Sequence, residues 1–222
     1  MHVALVDLFR CPVAHRESCL VATADRTEAR VILDGMLGCP VCGAEYAIRD
    51  GVTYFSGQGI SPPAPAENYD SAAAMRIAAL LNATGATGAA GAGATIALVG
   101  SPLLLARAVQ SIVPVRCVVI NAPDAFAAAG TLQAHDMPLA IVRSDSALPL
   151  VPNAFTGIYV PWDEPDAYMR ALRAKGRLIA RVDRAVPADI LELARDATHW
   201  VGERNAEPQA PPPVLTQLRR RR

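Results

Sequence analysis

Short apolar runs alternate with longer amphipathic runs over residues 67–206, and this alternation predicts the main elements of the fold. The apolar runs predict strands at 95–100, 116–121, 138–144, 155–161, 176–183 and 198–204. The amphipathic runs predict helices at 72–82, 103–112, 124–135, 164–176 and 187–197. Gly176 is a typical stop for the fourth helix, and Pro187 suits the first turn of the fifth. Apolar, β-branched strands that alternate with helices indicate the α/β class, with a mostly parallel sheet and flanking helices.

Composition divides the chain into four parts. Residues 1–57 carry four of the five cysteines together with short alternating apolar stretches, which predicts a small N-terminal domain. Residues 58–66 read as a Gly/Pro linker, and residues 67–206 form the predicted α/β domain. The last segment, 207–222, is polar, rich in proline and ends in arginines, which predicts a disordered basic tail.

Charge and hydropathy argue against two classes of protein. The 222 residues contain 21 acidic and 21 basic side chains, which disfavours a general nucleic-acid coat. The longest apolar stretch, 77–105, is interrupted by Asn82, by repeated glycines and by Pro102, so no membrane span is predicted. Asp7 stands early in an N-terminus that lacks a basic region. No signal peptide is therefore expected, and a cytoplasmic location is the default.

The strongest local motif is Cys39-Pro-Val-Cys42-Gly43. Two thiolates separated by two residues can hold one ion from a tight turn, and the following glycine lets backbone N–H groups turn toward the sulfurs. In a reducing cytoplasm, clustered cysteines favour a metal site over disulfides. We therefore predict that this turn binds zinc.

The other half of the predicted site lies at the first cysteine of the chain. Cys11 opens a similar turn, but the second cysteine expected three residues later is absent, and His15 follows. Tetrahedral zinc needs four donors, and these two residues complete the set begun by Cys39 and Cys42. Cys19 is the alternative fourth ligand, although His15 is favoured because it lies within the turn. Four protein donors leave no open position for water or substrate, so the predicted zinc is structural.

Residues 5–12 (LVDLFRCP) and 37–52 (LGCPVCGAEYAIRDGV) together resemble the short zinc-ribbon activator subunits of tRNA and protein methyltransferases. They are also similar to the ribbons fused at the start of bacterial methyltransferases. The Y-x-I-R-D-G run at 46–51 is a fairly specific mark, and it predicts a strand that ends in an Asp-Gly turn. The resemblance covers residues 5–55 and implies a zinc ribbon.

Residues 67–206 resemble a class I S-adenosylmethionine-dependent methyltransferase, which has a Rossmann-like fold. The best local match is 142–160 (VRSDSALPLVPNAFTGIYV). In that family an acid after the third strand contacts the adenine of the cofactor, and the resemblance puts Asp145 in that place. It also implies cofactor contacts at Gly100, in the turn after the first strand, and at Asn121, at the end of the second, if S-adenosylmethionine binds.

Several positions depart from the methyltransferase pattern. The turn after the first strand reads Gly100-Ser-Pro-Leu-Leu, in which proline deletes an N–H and leucines fill space that a ligand needs. Asn121 replaces the acid that usually binds the ribose, and Asp124 comes three residues late. After the fourth strand, Trp162 and Asp163 form no familiar catalytic motif. The cofactor site is therefore predicted to be degenerate.

These features favour a non-catalytic protein in which a zinc ribbon and a degenerate methyltransferase-like domain form an interaction or scaffold unit, with another protein as partner. One alternative is an active S-adenosylmethionine-dependent methyltransferase acting on RNA or protein, with Asp145 at the adenine and Asn121 or Asp124 at the ribose. The other is an RNA-associated zinc-ribbon protein, in which the ribbon and Arg219–Arg222 bind RNA.

Overall fold

The computed structural model of this protein describes residues 1–55, 71–81, 93–123, 137–144 and 149–205. Its strands, in chain order, are β1 (Val21–Glu28), β2 (Val31–Gly38), β3 (Glu45–Arg49), β4 (Val52–Tyr54), β5 (Thr95–Val99), β6 (Arg116–Ile120), β7 (Leu139–Arg143), β8 (Phe155–Val160), β9 (Leu172–Arg181), β10 (Ile190–Arg195) and β11 (His199–Arg204). The α-helices of the described residues are α1 (Ser71–Leu80) and α2 (Leu103–Ile112). Short 3-10 segments cover Val3–Leu8 and Pro165–Tyr168.

All of these strands join in one sheet, with the order β1-β2-β3-β4-β7-β6-β5-β8-β9-β11-β10. The six strands from β4 to β9 in this order pair in parallel, and the pairs on either side are antiparallel. Every residue of β5, β7 and β8 is buried, as expected for continuous apolar runs in a parallel sheet covered on both faces. The order β7-β6-β5-β8-β9 is that of a Rossmann-like fold, with connections running outward from β5 in both directions. The predicted α/β class with a parallel core is confirmed.

Alternate side chains of the central strands face two separate cores. On one face, Ile96 of β5 packs in the same cluster as Ile77 of α1. On the other face, Val99 of β5 shares a core with Leu5 and Phe9, which belong to the N-terminal arm, residues 1–20. Among the described residues, helices of two or more turns therefore cover only one face of the sheet. The N-terminal arm and the strands that follow it cover the other.

The N-terminal strands are continuous with the parallel strands. β1 to β4 form an antiparallel meander, and Val52–Tyr54 of β4 then pair in parallel with Ile141–Arg143 of β7. The Phe55 N–H extends this ladder by donating to the Arg143 carbonyl at 2.8 Å. The domain boundary after residue 57 stays a prediction, because the linker at 58–66 lies outside the described residues.

Both outer strands of the sheet carry β-bulges. The register of β1 against β2 shifts between Ala24 and Arg26 and again between Arg26 and Thr27. The register of β10 against β11 shifts between Glu192 and Ala194. A bulge leaves one residue without a partner in the ladder and twists the strand, so both edges of the sheet are irregular.

The predicted helix at 164–176 is wrong. This segment contains a single 3-10 turn, and β9 then begins at Leu172, whose Cα pairs with that of Phe155 on β8. Gly176 stops no helix but lies inside β9, where a Cβ atom would stand 2.7 Å from Leu172 Cδ1. Pairing with β8 at Leu172 and again at Arg177–Ala180 outweighs the weaker local preference of these residues for a helix.

The predicted helix at 187–197 is also wrong, because Ile190–Arg195 form β10. Only Ile190 of this strand is buried, whereas Leu191 and Leu193 are exposed. Without a buried apolar stripe, a short helix gains little from packing, and hydrogen bonding to β11 decides the conformation.

The remaining predicted strands and helices that fall within the described residues are confirmed. The strands predicted at 95–100, 116–121, 138–144, 155–161 and 198–204 are confirmed as β5, β6, β7, β8 and β11, and the helices at 72–82 and 103–112 as α1 and α2. β9 extends the strand predicted at 176–183 backwards by four residues. The helix at 124–135 and the tail at 207–222 lie outside the described residues. No α-helix of the described ranges is long and apolar enough to cross a membrane.

Gly157 of β8 lies against the end of α1, where a Cβ atom would stand 2.9 Å from Leu81 Cβ. We expect Gly157→Ala to lower the free energy of unfolding by about 1–3 kcal/mol, because the added methyl overpacks this contact. Urea denaturation measures the loss. Gly38→Ala is the matched control, since a Cβ there meets no atom closer than 4.0 Å. Equal effects in the two variants would contradict the packing described.

Candidate metal centre

The second cysteine turn links β2 to β3. Cys39 directly follows β2, and its N–H donates to the Ala44 carbonyl at 2.8 Å, while the Gly43 N–H donates to the Cys39 carbonyl at 2.9 Å. Gly43 has a φ of +72°, a left-handed conformation that a residue without Cβ adopts easily. The glycine of the sequence motif therefore closes the turn that carries Cys39 and Cys42.

The first cysteine turn belongs to the N-terminal arm. The Cys11 N–H donates to the Ser18 carbonyl at 3.2 Å, so the chain between them folds back as a loop, and His15 lies on that loop. Cys19 forms an isolated bridge with Arg10 at the base of the loop, and its side chain is exposed. The structure thus separates the two candidate fourth ligands.

Four potential donor atoms meet between the two turns. The Sγ atoms of Cys11, Cys39 and Cys42 and a ring nitrogen of His15 all lie within 4.8 Å of one another, whereas Cys19 lies outside this group. Cys11 Sγ is 3.7 Å from Cys42 Sγ, and His15 Nε2 is 3.4 Å from Cys39 Sγ. Zinc bonds of roughly 2.3 Å to sulfur and 2.0–2.1 Å to nitrogen place tetrahedral donors about 3.5–3.8 Å apart. The donor set therefore fits a tetrahedral zinc ion.

The orientation of the His15 ring suits this role. His15 Nδ1 contacts the Arg16 carbonyl, which can only accept a hydrogen bond. Nδ1 therefore carries the proton, and the lone pair of Nε2 faces the cysteines. Metal-binding histidines are commonly fixed in this way by a carbonyl on the second nitrogen.

Two of the three thiols, those of Cys11 and Cys39, have a lowered pKa, whereas the hydrogen-bonded neighbours Cys39 and Cys11 help to raise the pKa of Cys42. Burial opposes ionisation of Cys39, yet hydrogen bonds from the N–H groups of Cys42 and Val41 lower its pKa to about 6. Burial also opposes ionisation of Cys11, but a hydrogen bond from the Tyr46 hydroxyl, 3.3 Å from Cys11 Sγ, helps to lower its pKa. Thiolates are the form that binds metal, so these contacts favour the ion.

The contact of Tyr46 with Cys11 is not evident from the Y-x-I-R-D-G run, in which Tyr46 is only the first residue. Within β3, Tyr46 and Ile48 are buried and their neighbours are more exposed. This alternation along the strand was the signal that could have placed Tyr46 on the inner face, beside the cysteines.

The second candidate site lies at the carboxyl ends of β5 and β6. Gly100 keeps a tight turn after β5, with a φ of +60° and its N–H donating to the Ile120 carbonyl at 2.8 Å. The Ser101 hydroxyl is buried and turns back to donate to the Val99 carbonyl at 3.1 Å. Of the two leucines expected to fill ligand space, Leu103 lies in the core with α1 and α2, and Leu104 is 73% exposed.

The side-chain amide of Asn121 is hydrogen-bonded to the backbone of Ser144. Its Nδ2 donates to the Ser144 carbonyl at 2.8 Å, and its Oδ1 accepts from the Ser144 N–H at 3.0 Å. Asn121 also has a φ of +55°, which asparagine tolerates better than most residues. The residue therefore staples the end of β6 to the end of β7. Asp124 and Asp145 lie outside the described residues.

Trp162 and Asp163, after β8, also have partners within the fold. The Tyr168 hydroxyl donates to Asp163 Oδ2 at 2.7 Å, and the Arg181 guanidinium lies 4.8 Å from the centre of the Trp162 ring. Both contacts brace the loop after β8.

Comparison with known proteins finds similarity only to solved structures, and that similarity is weak. No family model matches the chain, and no curated protein matches it. Among solved structures, a geranyl diphosphate methyltransferase with bound sinefungin is 15% identical, with a TM-score of 0.38, over 50% of this chain and 43% of that one. An O-methyltransferase family 2 protein of Planctomyces limnophilus, in complex with apigenin, is 16% identical, with a TM-score of 0.41, over 59% of this chain and 56% of that one.

A complex of the Haloferax volcanii Trm112 methyltransferase activator with a methyltransferase also matches, at 16% identity and a TM-score of 0.34, over 49% of this chain and 53% of that one. This chain thus spans between about two fifths and three fifths of the length of these three structures. A likeness at this level carries no conclusion about activity.

We expect Asn121→Ala to lower the free energy of unfolding by about 2–4 kcal/mol, because it leaves both polar groups of Ser144 without the amide and keeps a Cβ in left-handed backbone. Asn121→Gly loses the same two hydrogen bonds but relaxes the backbone, so its loss should be smaller. Chemical denaturation of both variants measures the difference. A wild-type stability in Asn121→Ala would show that the staple contributes nothing.

Proposed function

We propose that this protein is a non-catalytic interaction or scaffold protein, in which a zinc ribbon stabilises a degenerate methyltransferase-like sheet. The observation that carries the proposal is the bond pair between Asn121 and Ser144. In an open α/β sheet, ligands bind at the carboxyl ends of the strands, where the strand order reverses. Here the side chain of Asn121, the candidate that the structure describes at the end of β6, is hydrogen-bonded to the chain itself.

The turn after β5 supports the same proposal. A cofactor cradle needs backbone N–H groups directed outward, but Pro102 has none and the Ser101 hydroxyl is turned inward to Val99. A residue that binds the chain has less capacity to bind a ligand. The edge is therefore better suited to holding strands together than to holding a nucleoside.

The metal centre would supply stability rather than chemistry. Cys11, His15, Cys39 and Cys42 give a tetrahedral ion all four ligands, so no position remains for water or substrate. The ligands come from two turns that are distant in sequence, so metal binding would join these turns and add to the free energy of folding. Cysteines that cluster as metal ligands and form no disulfide support a reducing compartment such as the cytoplasm.

A protein partner is supported by apolar side chains exposed on residues 1–55, here called the N-terminal unit. Val13 and Val41 each lie two residues after a metal-binding cysteine and are 48% and 58% exposed. Val21 is 58% exposed, and its Cα partner Gly38 directly precedes Cys39. Exposed apolar side chains that join in one patch are typical of protein contacts, and these three valines all lie close in sequence to the Cys39–Cys42 turn or the Cys11 turn.

The second candidate function is an active S-adenosylmethionine-dependent methyltransferase acting on RNA or protein. It is favoured by the left-handed turn at Gly100, which sits beside the point where the strand order reverses between β5 and β8. In this hypothesis Asp145 would contact the adenine. The hypothesis of an RNA-associated protein depends on Arg219–Arg222, which lie outside the described residues, and no observation on the described part favours it.

We expect protein purified without chelator to carry about one zinc per chain. Cys39→Ser should lose the metal and melt at a lower temperature, because a hydroxyl is a poor zinc ligand. Cys19→Ser is the matched control and should keep both metal and stability. Elemental analysis and thermal unfolding measure these outcomes. If Cys19→Ser loses the metal while His15→Ala keeps it, the ligand set is wrong.

The absence of catalysis is tested by titrating the zinc-loaded protein with S-adenosylmethionine in a calorimeter. We expect no binding tighter than about 1 mM, since the strand edge is occupied by its own hydrogen bonds. A micromolar dissociation constant would overturn the proposal. In that case Asp145→Ala should weaken binding if the methyltransferase hypothesis is right, and Asp183→Ala, on an exposed turn after β9, is its control.

A further inference from the structure

The metal cluster is connected to the carboxyl end of β7 by a series of aromatic rings. Tyr46, whose hydroxyl contacts Cys11 Sγ at 3.3 Å, has its ring centre 4.8 Å from that of Phe55. The Phe55 ring is in turn 5.7 Å from that of Phe9. All three side chains are buried in the core on this face of the sheet. We name Tyr46, Phe55 and Phe9 the ring series.

The ring series reaches β7 through the backbone of Phe55. The Phe55 N–H donates to the Arg143 carbonyl at 2.8 Å, at the last residue of β7. The next residue is Ser144, which the Asn121 side chain holds at both backbone groups. A change in the position of Phe55 therefore acts directly on the edge that Asn121 staples.

A second connection begins at the same cysteine. Arg10 directly precedes Cys11, and its N–H donates to the Pro149 carbonyl at 2.9 Å. The Val151 N–H donates to the Leu8 carbonyl at 2.9 Å, and Phe9 bridges to Leu150 between these bonds. The chain at 149–151 is thus held by backbone that leads straight into the first cysteine turn.

Both connections begin at the two turns that carry the proposed metal ligands. These turns meet through close thiols and an imidazole, with Cys11 Sγ 3.7 Å from Cys42 Sγ, and a bound ion would hold them together. Small metal-binding units commonly lose their structure when the ion leaves. Release of the turns would free Tyr46 at one end and Arg10 at the other.

We propose that metal occupancy at Cys11, His15, Cys39 and Cys42 controls the local stability of two segments, residues 139–144 and 149–151. The first contains β7, whose carboxyl end Asn121 staples to β6. The N-terminal unit is then a metal-responsive switch for the edge at which an α/β sheet binds ligands. This inference rests on the proposed zinc site. The element with two states is the pairing of the N-terminal unit with β7 and with 149–151, which the metal biases toward the paired state.

Hydrogen exchange of the intact protein, read by mass spectrometry, tests this in zinc-loaded and chelator-stripped samples. We expect removal of zinc to speed exchange by about tenfold or more in peptides from β7 and from 149–155, because their protection depends on local opening. Peptides from α2 and from β10–β11 should change little. Change confined to residues 1–55, or equal change throughout the protein, would overturn the proposal.

Phe55→Leu tests the route, since it removes the ring contacts but leaves all four ligands in place. We expect it to bind about one zinc per chain and to lose most of the zinc-dependent protection of β7. Phe155→Leu, the same change on β8 in the same core, should retain that protection. Tyr46→Phe, which deletes only the hydroxyl at Cys11, gives a milder second variant and should reduce the effect in part.

The outcomes separate this inference from the proposed function. If the wild-type chain takes up no zinc, the proposed metal site fails and the switch fails with it. If the chain binds zinc and β7 exchanges at the same rate with and without the metal, only the switch is wrong. Retention of full zinc-dependent protection in both Phe55→Leu and Tyr46→Phe would contradict the ring series as the route.

Discussion

The parallel pairing of β4 with β7 is the contact on which the rest of this structure depends. Only Val52–Tyr54 take part from the N-terminal side, yet they join the antiparallel meander to the parallel sheet. Every residue of β7 is buried, including Arg143, so this strand would be a long apolar edge without a neighbour. The N-terminal unit thus covers an edge that the parallel strands cannot protect alone.

The same unit also supplies one of the two cores. Leu5, Phe9 and Phe55 pack against the inner side chains of β5 and β7 on the face opposite α1 and α2. A sheet of this kind needs apolar cover on both faces, and crossover helices usually provide it. Here much of that cover comes from chain that also carries the two turns of the proposed metal site. If that site binds an ion as proposed, metal binding and the stability of the sheet belong to one folding process.

The sequence predicted what depends on local pattern. Buried parallel strands such as β5 and β7 show continuous apolar runs, and the Cys39–Cys42 turn has a spacing fixed by coordination geometry. Prediction from the sequence failed where pairing with a neighbouring strand decides the conformation. The residues of β9 and β10 have fair helix propensity, and only pairing with β8 and β11 makes them strands. The Asn121 staple and the ring series join residues far apart in sequence, which no short motif records.

The bulges at the two ends of the sheet have a consequence for assembly. Eleven strands side by side in the described residues would otherwise end in two straight rows of free amide and carbonyl groups. Such rows are templates on which further chains add, as they do in growing fibrils. The shifts at Ala24–Thr27 and Glu192–Ala194 break both rows, so another strand finds no continuous register. The irregular edges thus protect this wide sheet against growth by strand addition.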